Sequence, residues 1–109
     1  MPDNYQMLFC TCPNKTSARA IASLLVENNL AACVNIIPSI ESVYQWEGKI
    51  ETAQEELLII KSRLDKYDEI EQQILDHHPY ELPEIIAVTI DAGLSAYLSW
   101  IDKNVSRNK

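Results

Sequence analysis

The order of apolar patterns predicts an α+β fold, an antiparallel sheet with helices against it and one more helix at the C-terminal end. Three observations carry this expectation. The runs YQMLFCTC (5–12) and LLII (57–60) are continuous apolar stretches of strand length. Two other stretches, 18–29 and 67–74, repeat apolar residues at helical spacing. Glu47-Gly48, set between Trp46 and Lys49, is a tight-hairpin signal, with Gly48 free to take positive φ.

Each element follows in turn. Residues 5–12 read as a largely buried strand ended by Pro13. Ala18, Ile21, Ala22, Leu25, Val26 and Asn29 then mark one face of a helix. Asn14 or Thr16 can cap its start, and Asn28 or Asn29 can take the left-handed turn that ends it. AACVNII (31–37) and IESVYQW (40–46) read as one strand interrupted at Pro38-Ser39, where the missing ladder donor predicts a bulge or bend. The return strand runs from Lys49 to Lys61. Tyr67, Ile70 and Ile74 give a second helical stripe with Asp65 as its cap. EIIAVTI (84–90) is another strand, and Ser95 caps a last helix carrying Tyr97, Leu98, Trp100 and Ile101. The order β-α-β-β-α-β is that of a ferredoxin-like antiparallel sandwich, with its helices on one face, plus the C-terminal helix.

The hairpin is long for such a fold. Residues 32–46 would span roughly 50 Å if straight, at about 3.3 Å per residue. A domain of this length has a diameter of only about 34 Å. Either the hairpin bends sharply at Pro38 and folds back on its own core, or its tip projects with Tyr44 and Trp46 exposed. A projecting ribbon with free sheet edges is a template for another chain, and pairing with a neighbouring subunit is the expectation.

A chain of 109 residues is expected to form one domain, 1–109. No stretch approaches the roughly 18 apolar residues that span a bilayer. MPDNYQMLF lacks a basic region followed by an apolar run, so no secretory signal is expected. With three cysteines, an odd number, this points to reduced thiols and a cytoplasmic location. The net charge of −7 argues against nucleic-acid partners, whose phosphates need clustered Lys and Arg. Only two glycines are present, Gly48 and Gly93, which excludes the dinucleotide fingerprint and the P-loop. G-x-S-x-G and H-E-x-x-H are absent too. An acylphosphatase-like enzyme would need an Arg-lined phosphate cradle, and Arg19 and Arg63 lack the glycine-rich loop to complete one. No catalytic residues are therefore assigned.

Metal-ligating residue types remain. Cys10 and Cys12 stand two apart on a strand, so both side chains leave the same face. Thiolate and imidazole suit copper, although Cys10 fits equally well as a small buried apolar residue of a central strand. Cys33, on an edge strand, reads as core packing. In DHHPYELPEII (76–86), successive helical residues differ by about 100° in direction, so His77 and His78 cannot chelate one ion from a continuous helix. Pro79 pushes residue 78 into an extended conformation, leaving His77 on the last turn. The pair can therefore converge on a metal, or simply end a helix whose C-terminus favours a cation. Glu47, Glu51, Glu55 and Glu56 flank the hairpin, Glu81 and Glu84 flank Pro83, and most of them read as a solvated face.

Three blocks, LAACVNIIPSIESVYQWEGKIE (30–51), HHPYELPEI (77–85) and YLSWI (97–101), resemble the CutA family of divalent-cation tolerance proteins, from about Leu8 to Ile101. The resemblance implies a homotrimer built by strand pairing between subunits, with Tyr44, Trp46 and Trp100 in the trimer interface. It implies binding of copper or another divalent cation, with Cys10, His77 and His78 as ligands, and no established catalytic activity. It also implies likeness to the trimeric PII signalling proteins, which keeps a second function class in view: a module binding a small metabolite or partner protein in inter-subunit clefts near Lys61, Tyr80 and Glu84. Three positions depart from the family pattern. Ser39 stands where Gly is common, residues 91–97 read DAGLSAY, and Cys12 replaces what is often a small apolar residue.

Overall fold

A computed structural model, describing residues 4–105, arranges the chain as β1 (Tyr5–Cys12), α1 (Lys15–Glu27), β2 (Cys33–Trp46), β3 (Lys49–Arg63), α2 (Tyr67–His77), β4 (Ile86–Thr89) and α3 (Ser95–Asn104), with a 3-10 turn at Leu64–Lys66 before α2. Residues 1–3 and 106–109, the two ends of the expected domain and the start of the stretch searched for a signal, lie outside the described residues. The four strands form one sheet in the order β2-β3-β1-β4, every neighbouring pair antiparallel. This is the expected α+β sandwich.

One face of the sheet carries the core. Leu8 and Cys10 of β1 stand opposite Ile60 and Leu58 of β3, and α1 and α2 cover them with Ala18, Ile21, Leu25, Ile70 and Ile74. Each such Leu or Ile contributes about 1.5–3 kcal/mol by leaving water. Asn14 caps α1 as expected, its side chain accepting from the Ser17 N–H at 2.8 Å. Asn29 takes the left-handed turn after it, at φ 58°. Val26, expected on the buried face, is exposed at the stripe's margin.

The C-terminal helix, which the β-α-β-β-α-β order leaves unplaced, lies apart from the other two. It packs on the other side of the sheet, where Ile101 and Val105 join Tyr5 and Ala32 in a second small cluster. Tyr5 Oη donates to Asp102 at 2.6 Å, and Arg63 pairs with the same carboxylate. The caps expected on this helix and on α2 are not used. Leu94, not Ser95, is the N-cap of α3 and offers no side-chain oxygen. Asp65 sits within the 3-10 turn and binds Arg63, while Lys66 precedes α2. Strand β4 is also shorter than the apolar run 84–90, because only Ile86–Thr89 pair with β1.

The hairpin both bends and projects. β2 and β3 pair from Cys33↔Lys61 to Trp46↔Lys49, with a bulge between Ile37 and Ile40. Ser39 holds φ 58° there, and its N–H donates to Glu56 Oε2 at 3.3 Å. At the tip, Glu47 and Gly48 both have positive φ, the two-residue turn whose twist matches its strands. The described chain extends 44 Å along its longest axis against 25 and 21 Å across it. Val43, Tyr44, Trp46 and Ile50 on the projecting ribbon are all exposed.

Candidate metal centre

The segment after α2 decides the fate of the paired histidines. α2 ends at His77, and His78 adopts φ −82°, ψ 139°, the extended conformation that a following proline imposes. His77 stays on the helix surface, exposed, with Nδ1 2.8 Å from the carbonyl oxygen of Gln73. His78 turns inward and is buried. Its Nε2 lies 2.7 Å from the Thr11 carbonyl oxygen, and its Nδ1 accepts from the Tyr80 N–H at 3.0 Å. Only the neutral tautomer with the proton on Nε2 satisfies both contacts. The ring thereby ties the end of β1 to the loop after α2, with Tyr80 tilted against it at 4.9 Å between centroids.

Cys10 and Cys12 leave the same face of β1, fully buried. Their sulfurs and a ring nitrogen of His78 all lie within 4.8 Å of one another. The Cys10 thiol points to the Thr11 carbonyl oxygen at 3.9 Å. The neighbouring Cys12 sulfur, burial and the charges of Glu84 and Glu55 push Cys10 well above the ordinary thiol range. Cys12, beside Cys10 and Ser17, is held below its usual value despite burial. Two cysteine sulfurs beside an imidazole are a soft S₂N donor set, which suits copper or zinc and not magnesium or calcium. Sulfurs bound at about 2.3 Å to one tetrahedral ion stand roughly 3.8 Å apart, so the two thiols need to approach by no more than about 1 Å.

The structure thus brings Cys10 and His78 together, adds Cys12, and leaves His77 outside the cluster. Cys33, read as core packing, is only partly buried on the edge strand β2. Tyr80 and Glu84, expected in one cleft with Lys61, do line a common cavity of about 770 Å³, together with Thr11, Tyr44, Trp46, Glu55 and Glu81. Lys61 is not among its walls and instead lies 5.8 Å over the ring of Tyr97.

Glu47, Glu51, Glu81 and Glu84 are exposed, as expected of most of these glutamates, and Glu55 and Glu56 are the exceptions. Glu55 is 8 % and Glu56 7 % exposed. Glu55 accepts a hydrogen bond from Tyr80 Oη at 2.7 Å, and burial followed by this bond raises the phenol above its ordinary 10.0. Glu56 Oε1 is buried and has no hydrogen-bond partner among the described residues. Their position directly before the apolar block 57–60 was the available signal, since a strand that enters a core takes its first residues with it.

The fold has counterparts among known proteins. Residues 6–104 match the family described as CutA1 divalent ion tolerance protein. Protein CutA, chloroplastic, from Arabidopsis thaliana is 44 % identical over 94 % of this chain and 56 % of its own length. The crystal structure of CutA1 from Oryza sativa superposes with a TM-score of 0.94 at 41 % identity, covering 96 % of each chain. The periplasmic divalent cation tolerance protein CutA from Archaeoglobus fulgidus superposes with a TM-score of 0.91 at 42 % identity, covering 94 % of this chain and 99 % of that one. The chain therefore spans little over half the length of its plant relatives and nearly all of the archaeal one.

The cytoplasmic location expected from the cysteines is corrected by these relatives, which are described as chloroplastic in plants and periplasmic in Archaeoglobus. Three buried or half-buried thiols report local packing, and the compartment does not follow from them. Among the described residues no helix is long and apolar enough to cross a membrane. The relatives are named for ion tolerance rather than for a reaction. A match over residues 6–104, with the same fold at about 40 % identity, places this chain in the CutA1 family of divalent ion tolerance proteins.

Proposed function

We propose that this chain is a non-catalytic, homotrimeric protein that binds copper, or another soft divalent cation, and contributes to tolerance of such ions. The observation that carries the reading is the convergence of Cys10, Cys12 and His78 within 4.8 Å, beside a core of Leu, Ile and Ala. Occupancy requires His78 to release the Thr11 carbonyl and Cys10 to lose its proton, so uptake releases protons and strengthens with pH. His77, anchored to Gln73, serves as the internal control.

Trimer formation is supported by what the sheet leaves uncovered. Ile86 and Val88 of β4, Ile37 of β2, and Tyr97 and Trp100 of α3 are exposed, as is the ribbon with Tyr44 and Trp46. So much exposed apolar surface beside two free sheet edges fits burial against sister chains. The test is chelator-stripped protein titrated with copper, with mass in solution measured in parallel. Cys10→Ser, Cys12→Ser and His78→Gln should each weaken uptake at least about tenfold, one ligand's worth of roughly 1.4 kcal/mol or more, while His77→Ala should not. Equal affinity across all four variants would discard the site, and a monomer at micromolar concentration would discard the trimer.

A second reading is favoured by the cavity that Tyr80 and Glu84 share. It is of a size that holds small ligands, roughly 300–1,000 Å³, and supports a module of the PII-like kind that binds a metabolite.

A further inference from the structure

We infer that the small cavity at the start of α1 takes a zwitterion whose ammonium and carboxylate stand on neighbouring carbons, an α-amino acid with little or no side chain. The inference is independent of the metal centre and of the cavity beside Tyr80, since none of Cys10, Cys12, His78 and Tyr80 lines this space. Its walls are Lys15 and Arg19 of α1, Ile36 and Pro38 of β2, and Glu56 of β3, around about 210 Å³. Glu56 is more than nine-tenths buried. Its Oε2 accepts from the Ser39 N–H at 3.3 Å, and its Oε1 has no hydrogen-bond partner among the described residues. A buried carboxylate oxygen left without a donor costs stability, so a ligand that brings one is favoured there.

The other walls say what else that ligand carries. Lys15 and Arg19 stand four apart at the start of α1, on one side of the helix. Neither forms an ion pair with Glu56 or another carboxylate among the described residues, so opposite charges border the space without closing it. The first turn of α1 holds no acidic residue, and a helix N-terminus favours negative charge. A ligand carboxylate there meets the Arg19 fork and the Lys15 ammonium, while a ligand ammonium meets Glu56 Oε1. A bare anion would press lone pairs against Glu56, and a bare cation would face Lys15 and Arg19. The side chains of Ile36 and Pro38 add only apolar surface, which suits a hydrogen or a methyl group. The volume lies below the roughly 300 Å³ at which pockets for larger ligands begin. The cavity is also clear of the surface assigned to sister chains. Ile36 and Glu56 face the helix side of the sheet, whereas Ile37, Tyr44 and Trp46 face the open side. Pro38 has no N–H to offer a strand added at the β2 edge.

The test is isothermal titration of the full-length, assembled, metal-free protein with glycine and L-alanine, beside acetate, methylammonium and inorganic phosphate, each of which carries one sign of charge. Saturable binding of glycine or alanine is expected, with each of the three comparisons at least about tenfold weaker. Lys15→Gln with Arg19→Gln, both on exposed residues, should weaken glycine binding at least about tenfold without touching the core. Glu56→Gln, which keeps an acceptor for the Ser39 N–H, should do the same, with a melting curve to show that the variant is folded. Binding that survives both changes overturns the inference. Acetate or phosphate bound as tightly as glycine overturns it in favour of a plain anion site, and no saturable binding of glycine or alanine overturns it outright. None of these outcomes bears on copper uptake, which is measured separately.

Discussion

Replacing each of the adjacent histidines by alanine should give very unequal losses of stability. His78 satisfies two backbone groups, the Thr11 carbonyl at 2.7 Å and the Tyr80 N–H at 3.0 Å, from a buried position. His78→Ala strands both groups, and each costs about 1–3 kcal/mol when left unsatisfied. Lost packing against Tyr80 adds to this, so roughly 3–5 kcal/mol is expected in total. For a chain of this length that lowers the melting temperature by about 13–22 °C. His77 is exposed and bonds one carbonyl of its own helix. His77→Ala should therefore cost no more than about 0.5 kcal/mol, with alanine's helix propensity offsetting part of it. Calorimetry and urea unfolding by circular dichroism give both numbers. Equal protein concentrations remove the effect of association, and EDTA removes any bound metal. If His77→Ala were as damaging as His78→Ala, or if His78→Ala cost under about 1 kcal/mol, the clamp described above would be wrong.

Two further outcomes follow from local geometry. Ser39 holds a left-handed φ of 58°, and only its N–H is used, toward Glu56. Ser39→Gly should be neutral or stabilising by up to about 1 kcal/mol, and Ser39→Val destabilising by about 1–2 kcal/mol; the reverse order in urea midpoints would refute the assigned bulge. Tyr80 is the pH-dependent case. Its phenol is raised from 10.0 in the folded protein, so the stability it contributes is complete below pH 10.0 and declines as pH rises above that value, where the unfolded chain ionises first. Tyr80→Phe should start from a lower baseline, because Glu55 loses its donor, and should fall less steeply between about pH 10 and 11. Parallel slopes for the two proteins in that range would remove Tyr80 as the source.

What could be read from the sequence was what the backbone enforces locally. Pro79 placed His78 outside the helix because its ring clashes with the residue before it, whatever the tertiary structure. Asn14, Asn29 and Glu47-Gly48 behaved likewise. The misread features all depend on contacts distant in sequence. Asp65 and Ser95 are chemically good caps, yet Asp65 is drawn to Arg63 and Ser95 lies one residue inside its helix. α3 lies on the opposite face because Tyr5 and Arg63, at the far ends of β1 and β3, hold Asp102 there. Strand alternation alone sets Cys12 beside Cys10, but the imidazole reaches the pair only because His78 folds back over Thr11, far away in sequence.

The bulge at Pro38-Ser39 shows how one residue divides the chemistry of the two faces. Before it, Ile36 stands opposite Leu58, on the side that α1 and α2 cover. After it, Ile40 stands opposite Glu55, one residue out of the earlier register. Because side chains alternate with period two, that single insertion puts the even-numbered residues of β2 beyond the bulge on the face opposite to Val34 and Ile36. Ser42, Tyr44 and Trp46 consequently share the open side with Glu55 and border the same cavity. Without the extra residue, Gln45 and Val43 would face Glu55 and the aromatic rings would turn toward the helix side. The departure from glycine at position 39 does not abolish this arrangement. Serine accepts the left-handed conformation, and its N–H is held by Glu56, the neighbour of the carboxylate that the bulge brings to the aromatic wall.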